Sequence, residues 1–354
     1  MQLRAEFGTV LGLVIGLMGF LGVPEAVAAP RVMIVHSYEK GHVCGQPQHD
    51  GIVAALKKQG FAVPGDVEID TYFMDTKRRN NTPDLILDQA DRVMERIEQN
   101  PPDVLVTLDD NAFRTVGLKM ADSRIPVVFC GMNGQPEDYH RQRPFLNARS
   151  RPGHNITGVY EKLHIVDAFR VHARLFPNVG RIRILLDTSP TGRAIGRQID
   201  LELGEDSSPV SWDVQTVTDW NAYQQEILQA NRDTEIGALY LATLLLKSDS
   251  GKTYTAPEIF QWTLKTSTKP EIAVNYAFTR LGLFGGAAVD FHAMGEQAGG
   301  MVARILQGED AGGIPIEEAK KYALAFNIQR ARQLGISIPS DILMAADEVV
   351  DSTP

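Results

Sequence analysis

Cysteine is scarce in this sequence: Cys44 and Cys130 are the only two among 354 residues. Two are too few to staple a small scaffold, although an even number leaves one disulfide open in an oxidising compartment. Basic charge is also in short supply, with 35 Lys and Arg against 44 Asp and Glu, a net of −9. No basic stripe exists to displace counterions from phosphates, which excludes a nucleic-acid partner. Beyond Val23 there is no run long and apolar enough to span a membrane. The signatures of a nucleophile elbow, a paired-histidine metal helix and a glycine-rich dinucleotide turn are all missing. We therefore expect a chain that is not an enzyme and needs no cofactor. The residual alternative is an exported hydrolase assembled from Cys44, His49 and Asp50.

What is present begins at the N-terminus. Arg4 supplies a small positive region, Val10 to Val23 an apolar run, and Pro24 leads into Ala26-Val27-Ala28-Ala29. That order predicts a cleavable signal peptide over residues 1–28 and release into a periplasm, an uncleaved anchor being the alternative. No cysteine lies near the cleavage site, so the mature chain is not expected to carry a lipid anchor. The remaining 325 or so residues exceed the usual size of a single core, which predicts two domains.

From Arg31 onward short β-branched runs alternate with amphipathic helical stretches, the pattern of βαβ units around a mostly parallel sheet. Strands are predicted at 32–36, 67–72, 104–107 and 126–130, with helices at 48–59, 82–100 and 111–120 between them. Thr82-Pro83 supplies a capping hydroxyl and a first-turn proline for the second of these helices. The segment 144–155, with two prolines, two arginines and a glycine, has no periodicity and is read as a domain boundary. The alternation then restarts with strands at 156–160, 181–186, 214–217, 236–241 and 272–275. The fold class is thus α/β, two doubly wound Rossmann-like lobes in tandem joined by a hinge. Ligands of such sheets sit beyond the carboxyl ends of the strands, so two lobes facing each other there enclose a cleft.

The last third carries the most recognisable text: Gly285-Gly286-Ala287-Ala288-Val289-Asp290-Phe291-His292, Gly295-Glu296-Gln297-Ala298, Ile305-Leu306-Gln307-Gly308, Ala325-Phe326-Asn327 and Gly335-Ile336-Ser337-Ile338-Pro339. With Val35-His36-Ser37-Tyr38, the run from Pro126 to Gly131 and Asn155-Ile156-Thr157-Gly158-Val159, it resembles the ABC-transporter substrate-binding family that includes tryptophan-binding lipoproteins. The resemblance implies a type I periplasmic-binding fold, with a first lobe of 30–154 plus about 292–320 and a second of 155–291 plus about 321–354. It further implies a monomer that captures a small molecule and delivers it to an ABC permease of the inner membrane. Related lobes also serve membrane signalling receptors, so a ligand-sensing partner of such a receptor is the competing expectation.

Candidate ligand-binding residues follow from the strand ends. They are Ser37, Tyr38, Asp109, Asp110, Asn111, Gly131 and Asn133 in the first lobe, Asp187, Thr188, Ser189, Thr243 and Asn275 in the second, and Asp290 near the hinge. An aspartate after a buried strand either caps the next helix or binds a ligand ammonium. The loop Asp187 to Arg193 either caps its own helix or holds an anion, and the two together would suit an amino-acid-like zwitterion. Tyr38, Phe129, Tyr276 and Phe291 are either core or a stacking surface. Cys44 and Cys130 fall at the cleft edge of one sheet, where they pair or remain separate thiols. His36, His42, Cys44 and His49 match no structural zinc spacing, and no metal site is expected. Lys77-Arg78-Arg79 reads as a solvated surface run, and 248–253 as a turn rather than a phosphate loop.

Overall fold

The first sheet is built around strands with apolar centres: Val32, Met33, Ile34 and Val35 are wholly buried, as are Val104, Leu105 and Val106. Strands apolar on both faces belong in a parallel sheet covered by helices on each side, which is the arrangement found. A computed structural model describes residues 28–352, apart from 178–179 and 244. The predicted signal peptide lies outside the described residues, except for its last position.

The chain runs β1 (Arg31–His36), α1 (Gly45–Lys58), β2 (Glu68–Phe73), α2 (Pro83–Gln99), β3 (Val104–Leu108), α3 (Asp109–Ala112), β4 (Val127–Met132), α4 (Pro136–His140) and β5 (Ile156–Tyr160). It continues through α5 (Ile165–Leu175), β6 (Arg181–Asp187), α6 (Pro190–Glu205), β7 (Trp212–Val217), α7 (Trp220–Arg232), β8 (Ile236–Leu241), the hairpin β9 (Leu245–Lys247) and β10 (Thr253–Thr255), α8 (Ala256–Thr266) and β11 (Glu271–Ala273). It finishes with β12 (Gly285–Val289), α9 (Phe291–Leu306), β13 (Glu317–Glu318), β14 (Tyr322–Asn327), α10 (Ile328–Gln333), α11 (Ser340–Met344) and β15 (Glu348–Val350).

The first sheet has the order β13-β5-β4-β3-β1-β2, every pairing parallel. The second has the order β11-β8-β6-β7, also parallel. A third, β12-β14-β15, is joined to the second through a bridge between Asn275 and Val289. The two-lobed α/β class is therefore as the sequence predicts.

The boundary is not where the composition suggested. Strand β5, expected to open the second lobe, pairs with β4 and completes the first sheet. The irregular segment before it is no linker, because Phe145 is buried in the first core and Ile316 N donates to Arg149 O at 2.7 Å. A loop pinned at both ends to one lobe carries the proline and glycine content of a linker without linking domains. The helix expected at 111–120 is also broken, into α3, a wide π-turn over Phe113–Gly117 and a short 3-10 turn.

The chain returns to the first lobe late. Helix α9 follows β12 of the second lobe yet packs along α1 and over β4 and β5. The approach is close enough to require glycine: a Cβ on Gly295 would fall 2.1 Å from Gln48 O, and one on Gly51 2.1 Å from His292 O. The chain then passes through β13 of the first sheet to β14 of the third.

In the second lobe a buried ion pair fastens the C-terminal region. Arg330 on α10 donates to both carboxylate oxygens of Glu271 on β11, and to the carbonyls of Leu264 and Ser267 at 3.0 and 2.9 Å. Both side chains are almost wholly buried.

Candidate functional site

The first sheet's core order, β2-β1-β3-β4-β5, reverses direction between β1 and β3, and ligands of open α/β sheets bind at that switch point. Tyr38 lies just beyond β1, Asp109 directly follows β3, Asn133 follows β4 and Glu161 follows β5. Facing them from the second lobe are Thr191 and Ile195 on α6, and Val274 and Asn275 beyond β11. With Cys44, Lys77, Phe278 and Phe291 they enclose a cavity of about 30 Å³ between the lobes. That is room for a water or two, so a larger ligand enters only if the lobes part. A wider groove of about 420 Å³ opens beside it, between Asn133 to Asp138 and the face of α6 carrying Gln198 and Leu201.

Asp109 dominates the electrostatics of the cavity. It is held at φ +66°, an uncommon conformation for aspartate, and its Oδ2 is buried without a hydrogen-bond partner. Burial, opposed by nearby Lys77 and reinforced by Asp110, raises its pKa to about 8. Glu161 is likewise pushed well above the usual carboxylate range, by burial first and then by Asp109 and Asp110. Lys77 Nζ sits 4.0 Å from the centre of the Tyr38 ring. Asp110 stands beside the cavity, accepting from Asn133 Nδ2 at 2.8 Å and from the hydroxyl of Tyr139.

The predicted residues divide sharply. Tyr38, Asp109, Asn133 and Asn275 line the cavity. Ser37 instead ties β1 to β3, its hydroxyl donating to Leu108 O and accepting from Ala112 N. Asn111 donates to the Thr76 hydroxyl, and Thr243 to Leu185 O. Asp187 accepts from Ser189 N at 2.9 Å, Ser189 caps Gly192 N at 3.0 Å, and Asp290 caps Ala293 N at 2.9 Å. Gly131, at φ +79°, makes room for Gln48, whose amide nitrogen would be 2.3 Å from an added Cβ. Thr188 accepts at its carbonyl from Arg193, which is exposed and does not line the cavity. The capping alternative thus accounts for the loop Asp187 to Arg193, apart from Thr191 on the cavity wall.

Of the aromatic candidates, Phe129 packs with Phe113 and Phe145 in the first core, and Tyr276 does not line the cavity. Cys44 and Cys130 are both free thiols, so the disulfide weighed for them is not formed. Among the described residues no group of three His, Cys, Asp or Glu side chains converges as metal ligands. Instead His36 Nε2 and His49 Nδ1 pair at 3.0 Å. Residues 248–252 form the turn joining β9 to β10, which Thr253 opens, with Gly251 at φ +80°.

Two charged cavity residues escaped sequence reasoning. Glu161 was hidden by the misassignment of β5, for a strand read into the wrong lobe aims its end at nothing. Lys77 was hidden by its neighbours, since a Lys-Arg-Arg run reads as solvated surface. The signal that could have found Glu161 is its position directly after a buried strand, the same one that marked Asp109.

A second polar chain crosses the groove. Gln135 donates to Gln198 Oε1 at 2.5 Å, and Gln198 donates in turn to Glu202 Oε1 at 2.9 Å. Glu202 accepts the backbone N–H groups of Leu163 and Ile165 at 2.7 and 3.0 Å, on the segment leading from β5 to α5. On the other side, Arg149 holds Gln135 Oε1 at 2.7 Å and Glu137 at 2.7 and 2.5 Å.

Two parallel-sheet lobes meeting over a cavity at their strand ends define the fold as the two-lobed type I periplasmic-binding architecture. Residues 256–350 match the family described as ABC transporter substrate binding protein, so the resemblance read from the sequence is borne out. Solved structures agree on the fold. An ABC domain from Streptococcus pneumonia, in complex with L-Trp, is 18% identical over 91% of this chain and 100% of its own, with a TM-score of 0.66. A ligand-free, open substrate-binding protein with adhesive properties from Clostridium difficile is 16% identical, covers 92% and 100%, and has a TM-score of 0.68. A conserved domain protein from Vibrio cholerae is 18% identical over 91% and 99%, with a TM-score of 0.66. No curated protein matches the sequence. Among the described residues no helix is long and apolar enough to cross a membrane.

Proposed function

We propose that this protein captures an amino-acid-like small molecule outside the cytoplasm, by closing its two lobes on it, and hands it to an ABC permease. The observation that carries the reading is the buried Asp109 carboxylate, with a free oxygen at the cavity wall and aromatic rings of Tyr38, Phe278 and Phe291 around it. A buried carboxylate without a partner is costly, and a ligand ammonium would satisfy it by a charge-assisted hydrogen bond. Tyr38, Asp109, Asn133 and Asn275, joined by Glu161, Lys77 and Thr191, are the residues proposed to touch the ligand. Export by the N-terminal segment would place the protein where such a solute is met before the inner membrane.

Native mass spectrometry of the protein taken from its own host, followed by calorimetric titration with amino acids and amines, tests the reading. The expected result is a co-purifying small molecule that rebinds after removal and is lost in Asp109→Ala. Turnover of the bound molecule, or binding that ignores Asp109→Ala, would refute it.

A further inference from the structure

The charges at the cavity do not balance. Among the described residues, Asp109 and Glu161 line it against one ammonium, Lys77, and no guanidinium. Asp110 adds a third carboxylate beside the wall, its partners Asn133 and Tyr139 supplying dipoles rather than charge. The remaining titratable groups facing Asp109 are Tyr38 from the end of β1, Cys44 at the start of α1 and Cys130 in β4, all carried further from ionisation by burial. None of them can supply the missing positive charge.

The one cation present is placed as a ligand's would be. Lys77 belongs to the loop after β2, which turns through Asp75 at φ +50°, and its side chain is half-buried with Nζ over the Tyr38 ring at 4.0 Å. Ammonium groups over aromatic faces are stabilised by the ring quadrupole, and a lysine on a surface loop can withdraw its head to water. By contrast, Asp109 is fixed by the backbone and 3% exposed, with Oδ2 unpartnered.

We infer that the cleft takes a ligand of net positive charge, a protonated or quaternary amine, and that Lys77 is a built-in placeholder which this amine displaces from between Tyr38 and the acids. This rests on the reading of the cleft as a small-ligand site and narrows its ligand class. A neutral zwitterion leaves the excess negative charge in place, because its own carboxylate cancels its ammonium and Arg193 does not line the cavity. Complementary charge in a closed cleft discriminates strongly, since a like or missing charge there is left desolvated and unpaired. The raised pKa of Asp109, about 8, is the same deficit seen in the absence of an amine: protons take the place that the ligand would fill.

Calorimetry of the purified protein with putrescine, L-lysine and choline, against L-leucine and L-glutamate, tests the inference. One of the three cations should bind at least tenfold more tightly than L-leucine, with no binding of L-glutamate. Lys77→Met should tighten that cation about fivefold and Asp109→Asn weaken it at least tenfold. A preference for L-leucine or L-glutamate, or weaker cation binding in Lys77→Met, would overturn the inference and leave the small-ligand reading intact. Silence across the panel counts against the amino-acid-like reading, and a ligand-free measurement then decides the inference. The unfolding midpoint of Asp109→Asn should gain on that of the wild type as pH rises from 5 to 8, because a carboxyl with a raised folded pKa costs stability as the unfolded state loses its proton and the folded one keeps it. An unchanged slope in the variant would dispose of the charge deficit itself.

Discussion

Gln135 of the first lobe and Gln198 of the second meet side chain to side chain across the groove, at 2.5 Å. Neither end of this contact is free-standing. Arg149 steadies one amide, and Glu202 takes up the other while holding the N–H groups of Leu163 and Ile165 in the interlobe segment. Closure at the groove and the geometry of that segment are therefore read by one connected chain.

Gln198→Ala should shift the population toward parted lobes. A net hydrogen bond contributes about 1 kcal/mol, so ligand affinity should fall roughly fivefold with little change in melting temperature. Small-angle scattering of the ligand-free protein should show a larger radius of gyration. Glu202→Ala should behave differently, since it leaves two buried backbone donors unpaired and should destabilise the fold by about 2–4 kcal/mol. Equal effects from the two variants in chemical denaturation would contradict this division of labour.

The Gly51–Gly295 approach should tolerate no side chain. Gly295→Val drives a Cβ toward the backbone of Gln48, where nothing flexible can yield. Overpacking of this kind should cost about 3 kcal/mol or more, read as a lowered denaturant midpoint. Gly300→Val, on the same helix but with open space around it, serves as the control and should cost no more than its helix propensity.

Removing Arg330 should leave Glu271 charged and buried. Arg330→Met should destabilise by about 3–5 kcal/mol near neutral pH, and Arg330→Met with Glu271→Met should recover most of the loss. Burial already pushes the Glu271 pKa upward. In the single variant the penalty should therefore shrink as pH falls and the carboxyl takes up a proton. A penalty independent of pH would argue that Glu271 finds another partner.

His172 is 2% exposed, its Nε2 lacks a partner, and burial lowers its pKa from 6.5 to about 3. A depressed pKa contributes stability above the unfolded value that is lost as pH falls toward the folded one. Between about pH 6.5 and 3 the wild type should lose up to about 1.4 kcal/mol per pH unit on this account. His172→Leu should remove that part of the acid sensitivity while keeping the contact with Phe176. An acid-denaturation profile identical to wild type would exclude the residue as a cause.

Much of this molecule was legible in the sequence because parallel strands buried on both faces write themselves as unbroken apolar runs. Val32 to Val35, Val104 to Val106 and Ile182 to Leu186 all fell where expected. The ends of those runs pointed to Tyr38, Asp109, Asn133 and Asn275. What stayed hidden was which lobe a segment joins, since local patterning is the same in either sheet. That single ambiguity displaced β5 and concealed Glu161. Capping and binding also use the same residue types, so Asp187, Ser189 and Asp290 read as ligands, while Ser189 and Asp290 serve N–H groups of their own helices and Asp187 the N–H of Ser189 just before one.

Helix α9 has a consequence for how the protein is made. Its partner α1 appears some 240 residues earlier in the chain, with the whole of the second parallel sheet between them. One flank of β4 and β5 therefore stays bare until nearly everything else has been synthesised, and contacts of such long sequence separation form slowly. The first lobe to be translated is thus the last to be finished, and a chain interrupted before Phe291 presents a sticky half-covered sheet rather than a smaller protein.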